Sequence, residues 1–243
     1  MAFNPSNTKI DEFRVLDTEL TDMLARNEKI YSSQKQFIEN ASHELQTPLA
    51  ISLNKLELLA ESNNLPEDQM AELDKISDTL NRLVRLNKSL LMLSKIENRQ
   101  FADEENINFN DLVRQLTEDY YDLAEYKEIS ITVDTLSPLN FTMNRGLAIT
   151  LVSNLIKNAI IHNHKDGSIQ ITIKNDSIAI SNTGNPKALD TDYIYRRFYR
   201  NSHNEHSTGL GLSIVSSIVS NYKLTVTYTF NGQHNFVINF PKK

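Results

Sequence analysis

The sequence contains no cysteine, which excludes a disulfide framework, a thiolate nucleophile and cysteine-ligated zinc, and fits a reducing compartment. No apolar run reaches the roughly 18 residues of a membrane span, and no signal peptide is visible. Glycine is scarce, with 6 in 243 positions against a usual share of about 7%, so each glycine is expected where the backbone needs one. A basic excess is missing as well: the net charge of −6 speaks against bulk nucleic-acid binding. What is present, 40% hydrophobic residues, is enough for one large core or two ordinary ones.

The chain divides near residue 106. Residues 1–106 carry 12 Lys/Arg against 19 Asp/Glu, a net −7, whereas residues 107–243 carry 13 against 12, a net +1. All six glycines lie beyond the same point. From Ile10 to about Glu61 there is no glycine and one proline, Pro48, which reads as a helix too long to stand alone. Asn63-Asn64-Leu65-Pro66-Glu67 reads as a turn. A second helix is expected from about Pro66 to Asn98, with Leu73, Ile76, Leu80, Leu83, Asn87 and Leu90 in 3-4 spacing. Two such helices make a hairpin whose seam stays half-covered, so two hairpins joining as a four-helix bundle is the expected solution.

After residue 106 the apolar period shortens to two. Alternation at Ile129–Val133, Ile169–Ile173, Ile178–Ile180, Leu224–Phe230 and Phe236–Phe240 predicts five strands. Helical patterns at about 110–126, 145–162 and 209–221 would cover one face of the sheet, an α+β domain. Residues 185–208 form a long apolar-poor connection, expected to be a lid or binding loop.

Four segments carry chemistry. In Ser42-His43-Glu44-Leu45-Gln46-Thr47-Pro48-Leu49 a helical register makes Leu45, Leu49, Leu53 and Leu56 the buried stripe. Gln36, Asn40, His43, Thr47 and Asn54 then lie on a polar face. Pro48 costs its helix about 3 kcal/mol by pressing on the Glu44 carbonyl, and Glu44 can orient the imidazole and take its proton. In Asn154-Leu155-Ile156-Lys157-Asn158-Ala159 two amides share a helix face, and their oxygens suit Mg²⁺ once phosphates supply the charge. Ile178-Ala179-Ile180-Ser181-Asn182-Thr183-Gly184 is a strand entering a glycine turn. In Ser207-Thr208-Gly209-Leu210-Gly211-Leu212, glycines two apart open an apolar helix, where backbone and dipole favour an anion. Interleaved between the last two is Tyr195-Arg196-Arg197-Phe198-Tyr199-Arg200. His164, His203, His206 and His234 show no metal-ligand spacing.

Phe37 to Leu49 resembles the phosphoacceptor motif of two-component sensor histidine kinases, and the later segments resemble, in order, that family's asparagine box, first glycine box, phenylalanine box and second glycine box. The resemblance implies a dimeric four-helix bundle followed by an α/β-sandwich ATP-binding domain of the Bergerat type. It implies a transmission or linker helix at 1–29, a dimerisation and phosphotransfer hairpin at 30–103, and a catalytic domain at 104–243 with its lid at about 185–208. By the same resemblance His43 is the phosphoacceptor, Glu44 its acid/base partner and Thr47 an aid to dephosphorylation. Asn158 would hold Mg²⁺ with Asn154 nearby, Asn182 would meet adenine with Gly184 in its turn, and Thr208, Gly209, Leu210 and Gly211 would contact phosphate. Phe198 would anchor the lid, and Arg197 or Arg200 would meet phosphate or the acidic bundle.

ATP and Mg²⁺ are the implied cofactors. A second copy of the chain and a response-regulator receiver domain are the implied partners, with no nucleic acid. The implied location is cytoplasmic, with membrane anchorage only through a preceding sensor part. Several positions depart from the family pattern: Gln46 for a basic residue, Ile161 and His162 for a lysine and a tyrosine, Asn182 for an aspartate, and Pro186 and Ser207 for glycines. These leave a phosphatase-biased or weakly active kinase as one alternative reading, and a nucleotide-switched coiled-coil scaffold as another.

Overall fold

The computed structural model describes residues 11–61, 65–200 and 207–241. Two helices open the chain, α1 (Asp11–Glu61) and α2 (Glu67–Glu97). They match the expected pair to within a residue or two. Asn63 and Asn64 of the expected turn lie outside the described residues. With 51 residues against 31, α1 outruns α2, and its side chains from 15 to 30 are almost all exposed.

The hairpin seam differs from the expected one by a step in phase. On α1 it runs through Ser42, Gln46, Leu49, Leu53, Leu56 and Ala60, all buried or half-buried. Leu45 falls off this row and is 52% exposed. One facing helix covers only one sector of its partner, and at this level Ser42, at 3% exposed, occupies that sector. Opposite it, the Asn87 side chain donates from Nδ2 to the Ser42 carbonyl at 2.7 Å. A buried amide at a seam position penalises every register that leaves it unpaired.

The remainder runs β1 (Glu105–Asn108), α3 (Phe109–Asp119), α4 (Tyr121–Tyr126), β2 (Ser130–Thr135), β3 (Asn140–Met143), α5 (Arg145–Ile161), β4 (Ser168–Lys174), β5 (Ser177–Asn182), α6 (Gly211–Asn221), β6 (Thr225–Phe230) and β7 (His234–Asn239). The five expected strands form one sheet in the order β2-β4-β5-β7-β6, with β2 and β4 parallel and the other pairs antiparallel. The antiparallel ribbon of β1 and β3 was not expected, because four-residue segments such as ENIN carry too little alternation. The helix expected over 110–126 is two, broken at Tyr120.

Asparagines set two helix starts. Asn108 Oδ1 accepts from the amide of Asn110 at the head of α3, and Asn144 Oδ1 accepts from that of Leu147 at the head of α5. Alternate residues of β4, β5 and β7 are buried, and α5 packs on β5 with α3 and α6 beside it. The core of this domain extends into the hairpin: Leu93 and Ile96 of α2 belong to it, and α2 packs on α6. A cut at 103/104 would therefore leave part of the second domain's core on the first. No described helix is long and apolar enough to cross a membrane.

Candidate functional site

A cavity of about 620 Å³ opens between α5, the end of β5, the 185–210 segment and α2. It gathers Asn154, Asn158, Asn182, Arg200, Thr208, Gly209 and Gly211 from segments distant in sequence. Three nucleotide residues expected there are elsewhere. Leu210 is fully buried in the core, because its side chain starts the apolar face of α6. The Arg197 guanidinium pairs with the Glu97 carboxylate at the end of α2, which is the acidic-bundle alternative and not the phosphate one. Gly184 lies just behind the wall, where a Cβ would come 2.7 Å from the His162 carbonyl.

The glycines at the head of α6 have separate reasons. Gly209 has φ of +70°, and a Cβ there would approach the Phe198 backbone to 2.9 Å. The Gly209 carbonyl accepts from the Phe198 amide at 2.9 Å, tying the head of α6 to the connection. At Gly211 a Cβ would come 3.0 Å from Asn154 Oδ1. Because Asn154 donates from Nδ2 to the Thr150 carbonyl at 2.7 Å, its oxygen faces Gly211 and the first turn of α6. No side chain caps that turn, so its backbone N–H groups and positive dipole end are available to an anion.

At the other end Asn182 is buried, at 4% exposed, and donates from Nδ2 to the Thr183 carbonyl at 2.5 Å. That orientation leaves Oδ1 as an acceptor in the cavity. Its partner across the strands is His234, which sequence reasoning had set aside. The ring also lines the cavity and stands within a chain of hydrogen bonds. The Leu189 amide donates to the Tyr228 hydroxyl at 3.0 Å, Tyr228 Oη lies 2.8 Å from His234 Nδ1, and His234 Nε2 lies 2.9 Å from the Asn185 carbonyl. A carbonyl only accepts, so Nε2 carries a proton and donates it to Asn185. The imidazole thereby ties Asn185 and Leu189, the start of the long connection, to β6 and β7. Strand pairing could have revealed His234, since it is the register partner of Asn182.

The two departures noted at Ile161 and His162 also line the cavity. Partial loss of hydration, then the charges of Lys127 and His234, hold the His162 ring below its ordinary pKa of 6.5. Phe198 does not anchor the connection: it is 53% exposed with φ of +64°. Ile194, at 3% exposed, takes that role, with Leu189, Tyr195 and Tyr199 packed against the core beside it. Burial pushes the Tyr195 hydroxyl up to about 12. His203 and His206 lie outside the described residues.

His43, Glu44 and Thr47 are all exposed on α1, outside the cavity, and the helix continues through Pro48. The Asn87–Ser42 contact fixes the level of this motif against α2. As for a metal, no group of three or more His, Cys, Asp or Glu that could hold one exists among the described residues. The amide oxygens of Asn154 and Asn158 are hard donors that fit Mg²⁺ only when a ligand brings the anionic oxygens.

Comparison with known proteins agrees with this layout. Residues 33–99 match the His Kinase A (phospho-acceptor) domain, and residues 144–243 match the histidine kinase-, DNA gyrase B- and HSP90-like ATPase family. The heme sensor protein HssS of Staphylococcus saprophyticus is 29% identical over 245 residues, covering 97% of this chain and 52% of that protein. HssS of Staphylococcus epidermidis is 27% identical over 236 residues, covering 95% and 52%. The chain thus spans about half the length of these curated relatives. Among solved structures, the Acinetobacter baumannii histidine kinase AdeS superposes with a TM-score of 0.57 at 25% identity, covering 82% of this chain and 96% of that one. ShkA in complex with AMPPNP superposes with a TM-score of 0.67 over 85% of this chain and 45% of that one, a likeness of fold at 22% identity. With the phosphoacceptor hairpin and the ATPase domain both matched, in that order, the chain belongs to the two-component sensor histidine kinase family.

Proposed function

We propose that this chain is an ATP-dependent protein-histidine kinase that phosphorylates itself on His43 and passes the phosphoryl group to an aspartate of a response regulator. The observation that carries the reading is the cavity, which collects the paired asparagines of α5, the buried Asn182 and the uncapped head of α6 around one space. Adenine meets Asn182 Oδ1, and the phosphates lie against Thr208, Gly209 and the first amides of α6. Arg200 adds charge from the connection. Asn158, with Asn154, would hold Mg²⁺, which would neutralise phosphate charge there.

In the transfer step His43 Nε2 forms the bond to the γ-phosphorus while the bond from phosphorus to the β,γ-bridging oxygen breaks, leaving ADP. Glu44 takes the proton from the other ring nitrogen. Positioning and charge neutralisation lower the barrier, as phosphoryl transfer requires little covalent help from the protein. Thr47, one helical turn from His43, positions water when the regulator is dephosphorylated.

Two hairpins pair through the apolar side chains that a single copy leaves exposed, among them Leu45, Ile51, Leu58, Ile76 and Leu83. The parent protein is anchored in the membrane, with this part on the cytoplasmic side. The deciding experiment is His43→Gln with γ-labelled ATP: ATP still binds, and acid-labile label on the protein is lost. Label persisting on the variant at wild-type level would overturn the assignment of His43.

A further inference from the structure

We propose that Arg85 and Lys88 of the hairpin helix α2 form the second half of the phosphate subsite, so that a nucleoside triphosphate bridges the hairpin and the ATPase domain. This rests on the ATP reading above and extends it to residues outside the matched ATPase segment.

The first argument is charge. Although the whole chain has 31 Asp/Glu against 25 Lys/Arg, the side chains lining the cavity include Arg85, Lys88, Lys157 and Arg200 and no carboxylate. The bias is sharpest on α2, since residues 1–106 are the acidic part, at −7. Like charges gathered on one concave wall repel each other unless an anion joins them, and a concave wall focuses their field.

The second argument is partnership. The Lys157 ammonium sits 5.3 Å from the centre of the Tyr120 ring. Arg85 and Lys88, three residues apart on one face of α2, form no hydrogen bond or ion pair among the described residues. Surface cations near carboxylates normally find one, as Lys75 does with Glu72 on the same helix. These two face the cavity instead.

The third argument is position. α2 packs on α6, whose uncapped N-terminus is the anion end of the cavity. Asn87, between the two cations in sequence, contacts Ser42, the neighbour of His43. Arg85 and Lys88 therefore stand at the level of the phosphoacceptor on the hairpin. The outermost phosphates, which project furthest from the adenine end, come nearest to them. Charge-assisted contacts from α2 bind the triphosphate and dock the two domains in the same step.

The experiment measures dissociation constants of the full chain for ATP, ADP and adenosine, with Mg²⁺ present, for wild type, Arg85→Ala/Lys88→Ala and Arg85→Lys/Lys88→Arg. The alanine pair is expected to weaken ATP about tenfold, ADP about threefold and adenosine not at all, a gradient set by charge-assisted contacts to successive phosphates. The charge-keeping pair stays within about twofold of wild type for all three ligands, because it retains both cations. Equal affinities in the alanine pair and wild type would overturn the proposal, as would an equal loss for all three ligands, which marks a packing effect. If the wild type binds neither ATP nor ADP, the nucleotide reading itself fails, a result distinct from either of these.

Discussion

The hairpin and the ATPase domain use similar apolar side chains in opposite ways. In the ATPase domain Leu147, Leu151, Ile156 and Ile160 of α5 are all fully buried against their own chain. In the hairpin Leu45, Ile51, Leu58, Leu59, Ile76 and Leu83 are each about half exposed or more. One region covers its sheet with its own helices and borrows only Leu93 and Ile96 from the end of α2, and the other presents half of a core. The difference follows from layers: a sheet with three helices on it closes over its apolar face, whereas two helices can bury only one sector each. A domain that is nearly complete can dock and undock as a unit at the cost of exposing two apolar side chains of α2, while the half-covered hairpin is the part that the proposed pairing of two copies would complete.

The largest test of that contrast is in the nearly complete domain. Ile156→Ala empties a fully buried site and is expected to cost about 2–5 kcal/mol, read as a lower midpoint in denaturant unfolding of the ATPase domain. A loss under about 1 kcal/mol would mean that the core around α5 is looser than its burial indicates. In the hairpin, Ile76→Ser/Leu83→Ser removes two half-exposed side chains, so the ATPase domain should unfold as in wild type. The proposed homodimer should instead weaken by at least about tenfold, since burying such side chains is worth about 1.5–3 kcal/mol each when complete. Sedimentation at several concentrations reads this directly. An unchanged dimer would move the interface off this face.

Much of this layout was legible in the sequence, and the exceptions share a cause. Both long helices, all five strands of the main sheet and the asparagine pair follow from local periodicity and spacing, which act over a few residues. The phase of the α1 seam did not, because Leu45 fits a helical stripe as well as Ser42 does, and only the facing Asn87 decides between them. The resemblance to the phenylalanine box points to Phe198 as the anchor of the connection, whereas tertiary packing gives that place to Ile194. His234 reaches the cavity through a strand pairing across 52 residues, from Asn182, and Arg85 and Lys88 reach it through the packing of one domain on another. Residues whose role depends on long-range register carry no local signal.

The smallest expected effect sits where the two regions meet. Arg197 on the connection pairs with Glu97 at the last turn of α2, a direct side-chain link from the ATPase domain to the hairpin. Both side chains keep substantial contact with solvent, 46% and 30% exposed, so the pair is screened and its worth is about 0.2–1 kcal/mol. Leu93 and Ile96, fully buried between the same elements, carry the docking instead. Arg197→Ala should therefore leave unfolding nearly unchanged and shift only the balance between docked and undocked domains, by about fivefold or less. A distance probe between α2 and β6, read by double electron–electron resonance or fluorescence transfer, measures that balance. The difference between variant and wild type should vanish at about 1 M salt, where the Debye length falls to about 3 Å. A difference that survives high salt would show that Arg197 acts through the packing of its aliphatic stem, and that the two regions are joined by more than a screened charge pair on an apolar contact.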